Sequence, residues 1–327
     1  MRYNCAALTL TSCPLITQAF VLGAGLGTRL RPLTDDLPKP LIPIFQKPLI
    51  TFAFDHLIDS GIERFIVNTH RQPEAFAGVF PENNYRGRPI AFVNESVLLE
   101  TGGGIKNVEA QLGRDPFITY SGDILTDLPI ERLIKQHHDL KNDVTLALRR
   151  TGLGSQIAWR EDRVIDIGNR HGIPGNYDFA NIAIWNASIF KRLPPGQKIS
   201  FIPVLADWIS EGGKIGGVVI EEGRWFNIGS RVEYLEVHRT ISRGDWRPIF
   251  VKEPGWPRSV HPAAVVDRTA QIRGWSVVGK DCQVGAGAIL EDTILWPGAQ
   301  IASRSELVCC IVRAQKKVSG AHRNIDI

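Results

Sequence analysis

An apolar repeat of period six occupies the last part of the chain and restricts its fold more than any other feature. The repeat comprises Val260, Val266, Ile272, Val278, Val284 and Leu290, then slips by one position and continues at Leu295, Ile301 and Leu307. Small residues accompany it, as in Gly285-Ala286-Gly287-Ala288. This period is typical of a parallel β-helix, in which each hexad supplies one short face and a turn. The strands of a β-sandwich would not keep such a fixed spacing.

The first half of the chain alternates strand and helix patterns. Buried strands are predicted at 18–22, 65–67, 90–93, 117–120 and 144–148, and amphipathic helices from Ile50, around 105–112 and from Pro129. This alternation is typical of βαβ units. The predicted fold class is α/β, with a doubly wound, mainly parallel, Rossmann-like sheet followed by the β-helix. Ligands of such sheets bind beyond the carboxyl ends of the strands, where Gly23 and Ser121-Gly122-Asp123 begin their loops.

Length and composition exclude several classes of protein. The chain has 327 residues, which suggests about two domains at roughly 150 residues each. The net charge is +4, too small to indicate nucleic-acid binding. No apolar run approaches the roughly 18–20 residues of a membrane span, so no membrane association is expected. The five cysteines form no CxxC pair, which argues against a zinc ribbon or a disulfide framework and favours a cytoplasmic location.

Changes in composition divide the chain into four parts. Residues 1–17 are predicted to be an N-terminal leader whose apolar stretch is too short for an export signal. The αβ pattern fills residues 18–245, and a Pro-, Gly- and Trp-rich stretch at 246–258 is predicted to be a linker. Residues 259–327 form the predicted β-helix, which could mediate a homo-oligomer, support the αβ part or regulate it. Acyl transfer is a weaker alternative, because only His261 and His322 could serve as its base.

Glycines 23, 25 and 27 directly follow the first predicted strand. Without a Cβ atom, successive backbone N–H groups can turn toward an anion, and Arg29 and Arg31 add charge for phosphate oxygens. The spacing matches neither a dinucleotide-binding G-x-G-x-x-G nor a P-loop. The segment is therefore predicted to bind phosphate, with a plain tight turn as the alternative.

Lys39 lies between two prolines in Pro38-Lys39-Pro40. Pro40 restrains Lys39 to extended backbone and Pro38 stiffens its approach, so the ammonium group is carried by a rigid segment. A solvated surface lysine is the alternative, since most lysines are exposed.

Residues 22–41 resemble the signature of the sugar-1-phosphate nucleotidyltransferases, G-x-G-T-R-L-x-P-L-T followed by P-K-P-L. Further matches are Leu99-Glu100-Thr101-Gly102-Gly103-Gly104-Ile105, Ser121-Gly122-Asp123, Phe179-Ala180-Asn181 and 225–230, which is similar to the family's late W-x-D-x-G-T. The motifs are most similar to those of the N-acetylmuramate-1-phosphate uridylyltransferase and mannose-1-phosphate guanylyltransferase types. Residues 294–298 resemble a left-handed β-helix.

The resemblance implies a role for each matching residue. The implied catalytic residues are Arg29, Lys39 and Asp123, and the implied Mg²⁺ ligands are Asp123 and Asn227. The implied nucleotide-binding residues are Leu22, Gly23, Gly25, Gly27, Thr28, Glu100, Gly102 and Gly103, and the implied sugar-binding residue is Asn181. The substrates would be an NTP (UTP or GTP) and a sugar 1-phosphate, which yield an NDP-sugar and pyrophosphate. The phosphate oxygen of the sugar is then the nucleophile, and catalysis needs in-line positioning and charge neutralisation.

Two positions depart from the family pattern. Asn227 stands where the family has an acidic metal ligand, and no E-K-P element is found between Val164 and Pro174. Asn227 raises the alternative of a catalytically weakened regulatory homologue that binds nucleotide sugars. A second alternative keeps the metal site acidic, with Asp127 or Glu222 completing it. Among the other polar residues, Asn68 is expected to cap a turn.

Overall fold

The computed structural model describes residues 15–327. The αβ part contains fourteen strands: β1 (Gln18–Leu22), β2 (Pro43–Ile44), β3 (Lys47–Pro48), β4 (Arg64–Thr69), β5 (Asn84–Tyr85), β6 (Arg88–Asn94), β7 (Phe117–Ser121), β8 (Ile124–Thr126), β9 (Val144–Arg149), β10 (Ile157–Arg160), β11 (Arg163–Ile167), β12 (Asp178–Trp185), β13 (Ile215–Val219) and β14 (Trp225–Asn227). Its α-helices are α1 (Ile50–Asp59), α2 (Pro73–Val79), α3 (Glu100–Asn107), α4 (Glu109–Leu112), α5 (Ile130–Asp139), α6 (Phe201–Ser210) and α7 (Arg231–Ser242). Short 3₁₀ helices lie at Thr28–Leu30, Lys39–Leu41 and Ala187–Lys191.

Ten of these strands form one large sheet in the order β10-β11-β13-β9-β12-β7-β1-β4-β6-β5. Strands β1, β4, β6, β7, β9, β10 and β13 share one direction, which confirms a mainly parallel sheet. Strand β12 runs antiparallel between β7 and β9, a reversal that was not predicted. An apolar run fits a buried strand of either direction, so sequence pattern alone could not distinguish them.

The centre of the sheet is buried on both faces. Along β1, Ala19 and Val21 belong to one apolar cluster and Phe20 to another on the opposite face, and all three are fully buried. Alternate side chains of a strand point to opposite faces, so two layers of helices must cover this sheet. The doubly wound prediction is confirmed. No helix within 15–327 combines the length and apolar character needed to cross a membrane.

The C-terminal part is a parallel β-helix of eleven short strands. They are β15 (Val265–Val266), β16 (Gln271–Arg273), β17 (Val277–Val278), β18 (Gln283–Val284), β19 (Ile289–Glu291), β20 (Ile294–Leu295), β21 (Gln300–Ile301), β22 (Glu306–Val308), β23 (Ile311–Val312), β24 (Lys317–Val318) and β25 (Ala321–Arg323). They stack as three parallel sheets, β15-β18-β21-β24, β16-β19-β22-β25 and β17-β20-β23. Ile272 pairs with Leu290, and Leu290 pairs with Leu307 in the next coil. The predicted slip after Leu290 therefore shortens the coil by one residue.

The predicted linker at 246–258 is packed against its neighbours. Phe250, Val251 and Trp256 are buried in an apolar cluster that contains residues from both the αβ part and the β-helix. The domain boundaries given for 18–245, 246–258 and 259–327 stay predictions. Most of the predicted leader, residues 1–17, lies outside the described residues.

Candidate active site

The glycine-rich loop and the Asp123 loop leave adjacent strands at the same edge of the sheet. Strands β1 and β7 are parallel with Leu22 opposite Ser121, and the Gly122 N–H donates to the Leu22 carbonyl oxygen at 2.9 Å. A Cβ atom at position 122 would lie 2.9 Å from that oxygen, so only glycine allows this approach. The prediction that both loops share one edge is confirmed.

A buried polar pair fixes the start of the glycine-rich loop. The Asn68 Oδ1 accepts hydrogen bonds from the N–H groups of Gly23 (2.8 Å) and Ala24 (3.3 Å). Its Nδ2 donates to Glu95 Oε1 at 2.7 Å, and Glu95 Oε2 accepts from the Leu99 N–H at 3.0 Å. Asn68 therefore caps a turn, as expected. Glu95 was not assigned from sequence, yet it joins the glycine-rich loop to the segment that leads into α3.

The fold requires glycine at position 27 but not at position 25. Gly27 has φ +60°, and a Cβ atom there would lie 3.0 Å from the Thr34 side chain. Gly25 has no protein atom within 4 Å of a hypothetical Cβ, and its φ lies outside the left-handed region. The fold thus explains Gly27 without a ligand. It does not explain Gly25, which is exposed at the edge of the loop.

Lys39 and Asp123 form an ion pair at this edge. The Lys39 Nζ lies 2.6 Å from Asp123 Oδ2, and the side chains are 10% and 34% exposed. Lys39 begins the 3₁₀ helix Lys39–Leu41, with Pro38 at its N-cap. The expectation of extended backbone at Lys39 is wrong, because the residue lies in a 3₁₀ turn closed by the Leu41 N–H on the Pro38 carbonyl oxygen. The turn presents the ammonium group to the carboxylate, and the surface-lysine alternative is also wrong.

Asn227 lies on the strand that pairs with the Asp123 loop. Strand β14 runs antiparallel to β8 with Asn227 opposite Ile124, and the Ile228 N–H donates to the Asp123 carbonyl oxygen at 3.2 Å. The Trp225 Nε1 donates to the Ala180 carbonyl at 3.0 Å, which ties β14 to the strand that carries Asn181. The motifs at 121–123, 179–181 and 225–230 therefore meet in space.

The two carboxylates considered as alternatives to Asn227 already have other partners. Asp127 accepts from the Arg224 N–H at 2.6 Å and from Trp246 Nε1 at 2.7 Å. Glu222 pairs with Arg132 at 2.5 Å and is exposed. These partners, rather than the lining of the cleft that contains Asp123, argue against the alternative, since Asn227 does not line that cleft either.

The exposed Arg29 lies against the start of α7. A Cβ atom at Gly229 would lie 3.1 Å from Arg29 Nη2 and 3.2 Å from Glu233 Oε2, so the glycine leaves room for both side chains. Glu233 Oε2 accepts from the Gly229 N–H at 2.9 Å, and the Ser230 side chain caps α7 by accepting from the Glu233 N–H. The late motif at 225–230 therefore borders the predicted phosphate-binding arginine.

The glycines after Glu100 have a packing role. A Cβ atom at Gly102 would lie 2.9 Å from the Ile199 carbonyl oxygen, and one at Gly103 would lie 2.3 Å from that of Gln197. Both glycines are buried beneath the backbone of residues 197–201 and line neither cleft described below. Packing therefore explains why glycine is needed at both positions. It gives no support to their contact with the nucleotide, which stays a prediction.

Two adjoining clefts open at the sheet edge and share Leu22, Thr101 and Ser121. The smaller cleft, of about 190 Å³, is also lined by Asn68, Glu95, Glu100 and Asp123. The larger cleft, of about 340 Å³, contains Asn181 between apolar walls such as Phe179 and Phe201. Asn181 has φ +63° at an irregularity in the β12–β9 pairing. Bulges of this kind often redirect a side chain toward a functional site.

Comparison with known proteins identifies the family. Residues 18–156 match the family model described as nucleotidyl transferase. A mannose-1-phosphate guanylyltransferase from Mycobacterium tuberculosis is 30% identical over 305 residues, which cover 90% of this chain and 83% of that protein. This chain belongs to the nucleotidyl transferase family. Membership confirms the resemblance inferred from residues 22–41.

Two further proteins resemble this chain at lower identity. A UTP–glucose-1-phosphate uridylyltransferase from Synechocystis is 22% identical over 352 residues, covering 95% of this chain and 90% of the relative. A Bacillus anthracis protein assigned as a glucose-1-phosphate thymidylyltransferase, solved with sucrose, has a TM-score of 0.60 at 17% identity. That match covers 67% of this chain and 92% of the solved chain, and it supports the fold.

Proposed function

We propose that this transferase moves a nucleoside monophosphate from an NTP to a sugar 1-phosphate, releasing pyrophosphate. The observation that carries the proposal is the meeting of the glycine-rich loop, the Lys39–Asp123 pair and the Asn181 cleft at one sheet edge. Arg29 borders the same motifs. A phosphate-binding loop beside a sugar-sized cleft suits a reaction between two phosphorylated substrates.

The chemistry is an in-line displacement at phosphorus. A phosphate oxygen of the sugar 1-phosphate attacks the α-phosphorus of the NTP, and the bond from that phosphorus to the α–β bridging oxygen breaks. The electron pair leaves with pyrophosphate, so no side chain becomes covalently attached. Lys39 neutralises charge on the phosphate under attack, and Arg29 neutralises charge on the departing pyrophosphate.

The donor atoms near Asp123 suit a divalent cation that arrives with its nucleotide. Mg²⁺ takes hard oxygen ligands, and here the Asp123 carboxylate and the Asn227 amide supply them. Within 15–327 no group of three or more His, Cys, Asp or Glu side chains is arranged to hold a metal. The two residues therefore fit Mg²⁺ only together with phosphate oxygens. When bound, the ion neutralises phosphate charge, while Asp123 and Asn227 orient it.

The substrates are assigned to the two clefts. Glu100 in the smaller cleft contacts the nucleoside, and Asn181 in the larger cleft accepts or donates hydrogen bonds to sugar hydroxyls. GTP with mannose 1-phosphate is the first pair to test, since a relative at 30% identity over 90% of the chain is named as a mannose-1-phosphate guanylyltransferase. UTP with a hexose or N-acetylhexosamine 1-phosphate is the second pair.

The regulatory alternative depends on Asn227 alone, and no other residue of the site favours it. A cytoplasmic location is part of the proposal, and the free thiols of Cys282, Cys309 and Cys310 among the described residues are compatible with a reducing compartment. A homo-oligomer through the β-helix belongs to the same proposal and is tested by light scattering of the full chain.

The deciding experiment measures pyrophosphate release across a grid of NTPs and sugar 1-phosphates with Mg²⁺. We expect release with at least one of the GTP or UTP combinations, with an NDP-sugar detected by mass spectrometry. EDTA should abolish release. A folded protein that yields no nucleotide sugar with any pair would exclude the transferase activity and favour the regulatory alternative.

A further inference from the structure

The β-helix turns one apolar outer face toward the αβ part. In the sheet β17-β20-β23, the outward residues Val277, Ile294 and Ile311 are buried. They share an apolar cluster with Leu30, which lies between Arg29 and Arg31, and with Leu33, and Val277 and Ile294 also border Pro43 and Phe45. Apolar side chains excluded from water in this way hold the two segments together.

The equivalent outward positions of a second sheet, β15-β18-β21-β24, are exposed or polar. They are Val265, which is 68% exposed, and Gln283, Gln300 and Lys317. Of these two sheets, only the one that faces the αβ part buries its outward apolar residues. The buried apolar face is therefore a feature of the contact with the αβ part.

Arg313 adds a polar contact to the same loop. It follows β23, and its Nη1 donates to the Pro32 carbonyl oxygen at 3.2 Å and to Asp36 Oδ2 at 2.5 Å. Its side chain is 15% exposed, and its Nε also donates to the Ile327 carbonyl at 3.3 Å. The guanidinium group thus links the last coil of the β-helix to the segment three residues beyond Arg29.

A second polar link reaches the segment that follows Lys39. The Trp296 Nε1 donates to the Tyr234 hydroxyl at 3.0 Å, and that hydroxyl donates to the Pro43 carbonyl oxygen at 2.6 Å. Tyr234 and Trp296 are both buried. The β-helix therefore contacts the chain between Arg29 and Lys39 and, through Tyr234 of α7, is linked to the chain shortly after Lys39.

We propose that the β-helix is a positioning element of the active site, and that Arg313 is the positioning residue that fixes the Arg29 loop. This inference rests on the proposed transfer reaction. Arg29 is exposed and follows a loop with three glycines, so its position depends on what holds residues 30–36 as well as on its contact beside Gly229. Displacement by about 1 Å can lower the rate of an oriented reaction by about 100-fold. Arg313 acts only through Arg29 and touches neither substrate.

A kinetic cycle between Arg313 and Arg29 separates positioning from a general structural role. We expect Arg313→Ala to lower kcat about tenfold in the full chain, with the KM for the NTP changed less than threefold. In the Arg29→Ala background, adding Arg313→Ala should change kcat by less than twofold, because the group it positions is absent. Arg304→Ala, an exposed arginine of the same β-helix, serves as the matched control and should keep wild-type kinetics.

Hydrogen exchange tests the physical link without turnover. In the free protein, Arg313→Ala should speed amide exchange in residues 28–36 at least fivefold relative to wild type and Arg304→Ala, while α5 exchanges at its wild-type rate. The inference is wrong if Arg313→Ala keeps kcat within twofold of wild type, if it lowers kcat equally in both backgrounds, or if loop exchange is unchanged. A wild-type protein without turnover would instead reject the transfer reaction, while the exchange result would still report the loop contact.

Discussion

The Lys39 Nζ lies 2.6 Å from Asp123 Oδ2, so the proposed phosphate-binding cation and the proposed metal-binding carboxylate neutralise each other. The ammonium group occupies the space beside the carboxylate that a divalent cation would need. Entry of a metal–nucleotide complex must therefore exchange partners, with Lys39 moving to phosphate and Asp123 to the metal. A free metal ion, which brings no phosphate for Lys39, has to compete with the lysine.

Lys39→Ala is expected to separate metal binding from catalysis. Without the competing ammonium group, the Asp123 carboxylate should bind Mn²⁺ more tightly in the absence of nucleotide. At the same time kcat should fall by about 100-fold or more, because a cation that stabilises the transition state has been removed. Electron paramagnetic resonance measures free Mn²⁺, and pyrophosphate release measures turnover.

Lys191→Ala is the matched control for this experiment, since Lys191 is exposed. It should leave both quantities unchanged. Unchanged Mn²⁺ affinity in Lys39→Ala would show that the ion pair does not limit metal binding, and near-normal turnover would remove Lys39 from the mechanism.

Gly25→Ala is expected to weaken nucleotide binding without destabilising the fold. No protein atom lies within 4 Å of the added Cβ, and the backbone conformation accepts alanine. The methyl group would instead obstruct phosphate, so the KM for the NTP should rise about tenfold while Tm stays level or increases slightly. Gly78 in α2 is equally open and provides the control, because Gly78→Ala should not alter KM. Equal KM values for both variants would place the phosphates elsewhere.

Asn227→Asp is expected to lower the Mg²⁺ concentration needed for half-maximal rate. Asn227 lies opposite Ile124 on the strand paired with the Asp123 loop, and a carboxylate there would add the negative charge that Mg²⁺ prefers. Asn227→Ala should shift the requirement in the opposite direction. The measurement is a Mg²⁺ titration of initial rates at fixed NTP. Identical titration curves for wild type, Asn227→Asp and Asn227→Ala would show that Asn227 is not a metal ligand.

His238 is expected to make stability fall as the pH falls below about 6.5. Its Nε2 accepts from the Phe45 N–H at 3.3 Å, and its Nδ1 donates to the Tyr234 carbonyl at 2.8 Å, an arrangement that needs the neutral ring. Burial lowers the pKa of His238 from 6.5 to about 4. Between these values the unfolded chain binds a proton that the native chain excludes, so unfolding becomes more favourable as pH decreases.

His238→Gln tests this linkage. Between pH 7.5 and 5.0, the loss of unfolding free energy should be about 2 kcal/mol smaller in the variant, since each pKa unit corresponds to about 1.4 kcal/mol. Urea unfolding at several pH values gives the comparison. His56 and His137 are also buried with a pKa of about 4, so part of the pH dependence should remain. The same pH slope in both proteins would contradict a neutral His238.

The sequence could predict the sheet edge of the site but not the contacts that complete it. Parallel strands share a carboxyl edge, so Gly23 and Asp123 could be placed together from strand order alone. Glu95 was missed because a single carboxylate in a polar stretch has no periodicity that marks it. Arg313 was missed because its partner Pro32 lies 281 residues away, and no local pattern encodes such a contact.

The buried face formed by Val277, Ile294 and Ile311 also limits how this protein can be rearranged. A chimera that joins its αβ part to another β-helix would present a foreign surface to the apolar cluster that contains Leu30, Phe45 and Trp256, and a mismatch there would leave a void or a clash. Successful exchange of the two parts therefore requires that the αβ residues of this cluster be transferred together with the β-helix. The residues on the two sides of this contact surface are therefore expected to change together. Dividing the chain at the linker would separate them.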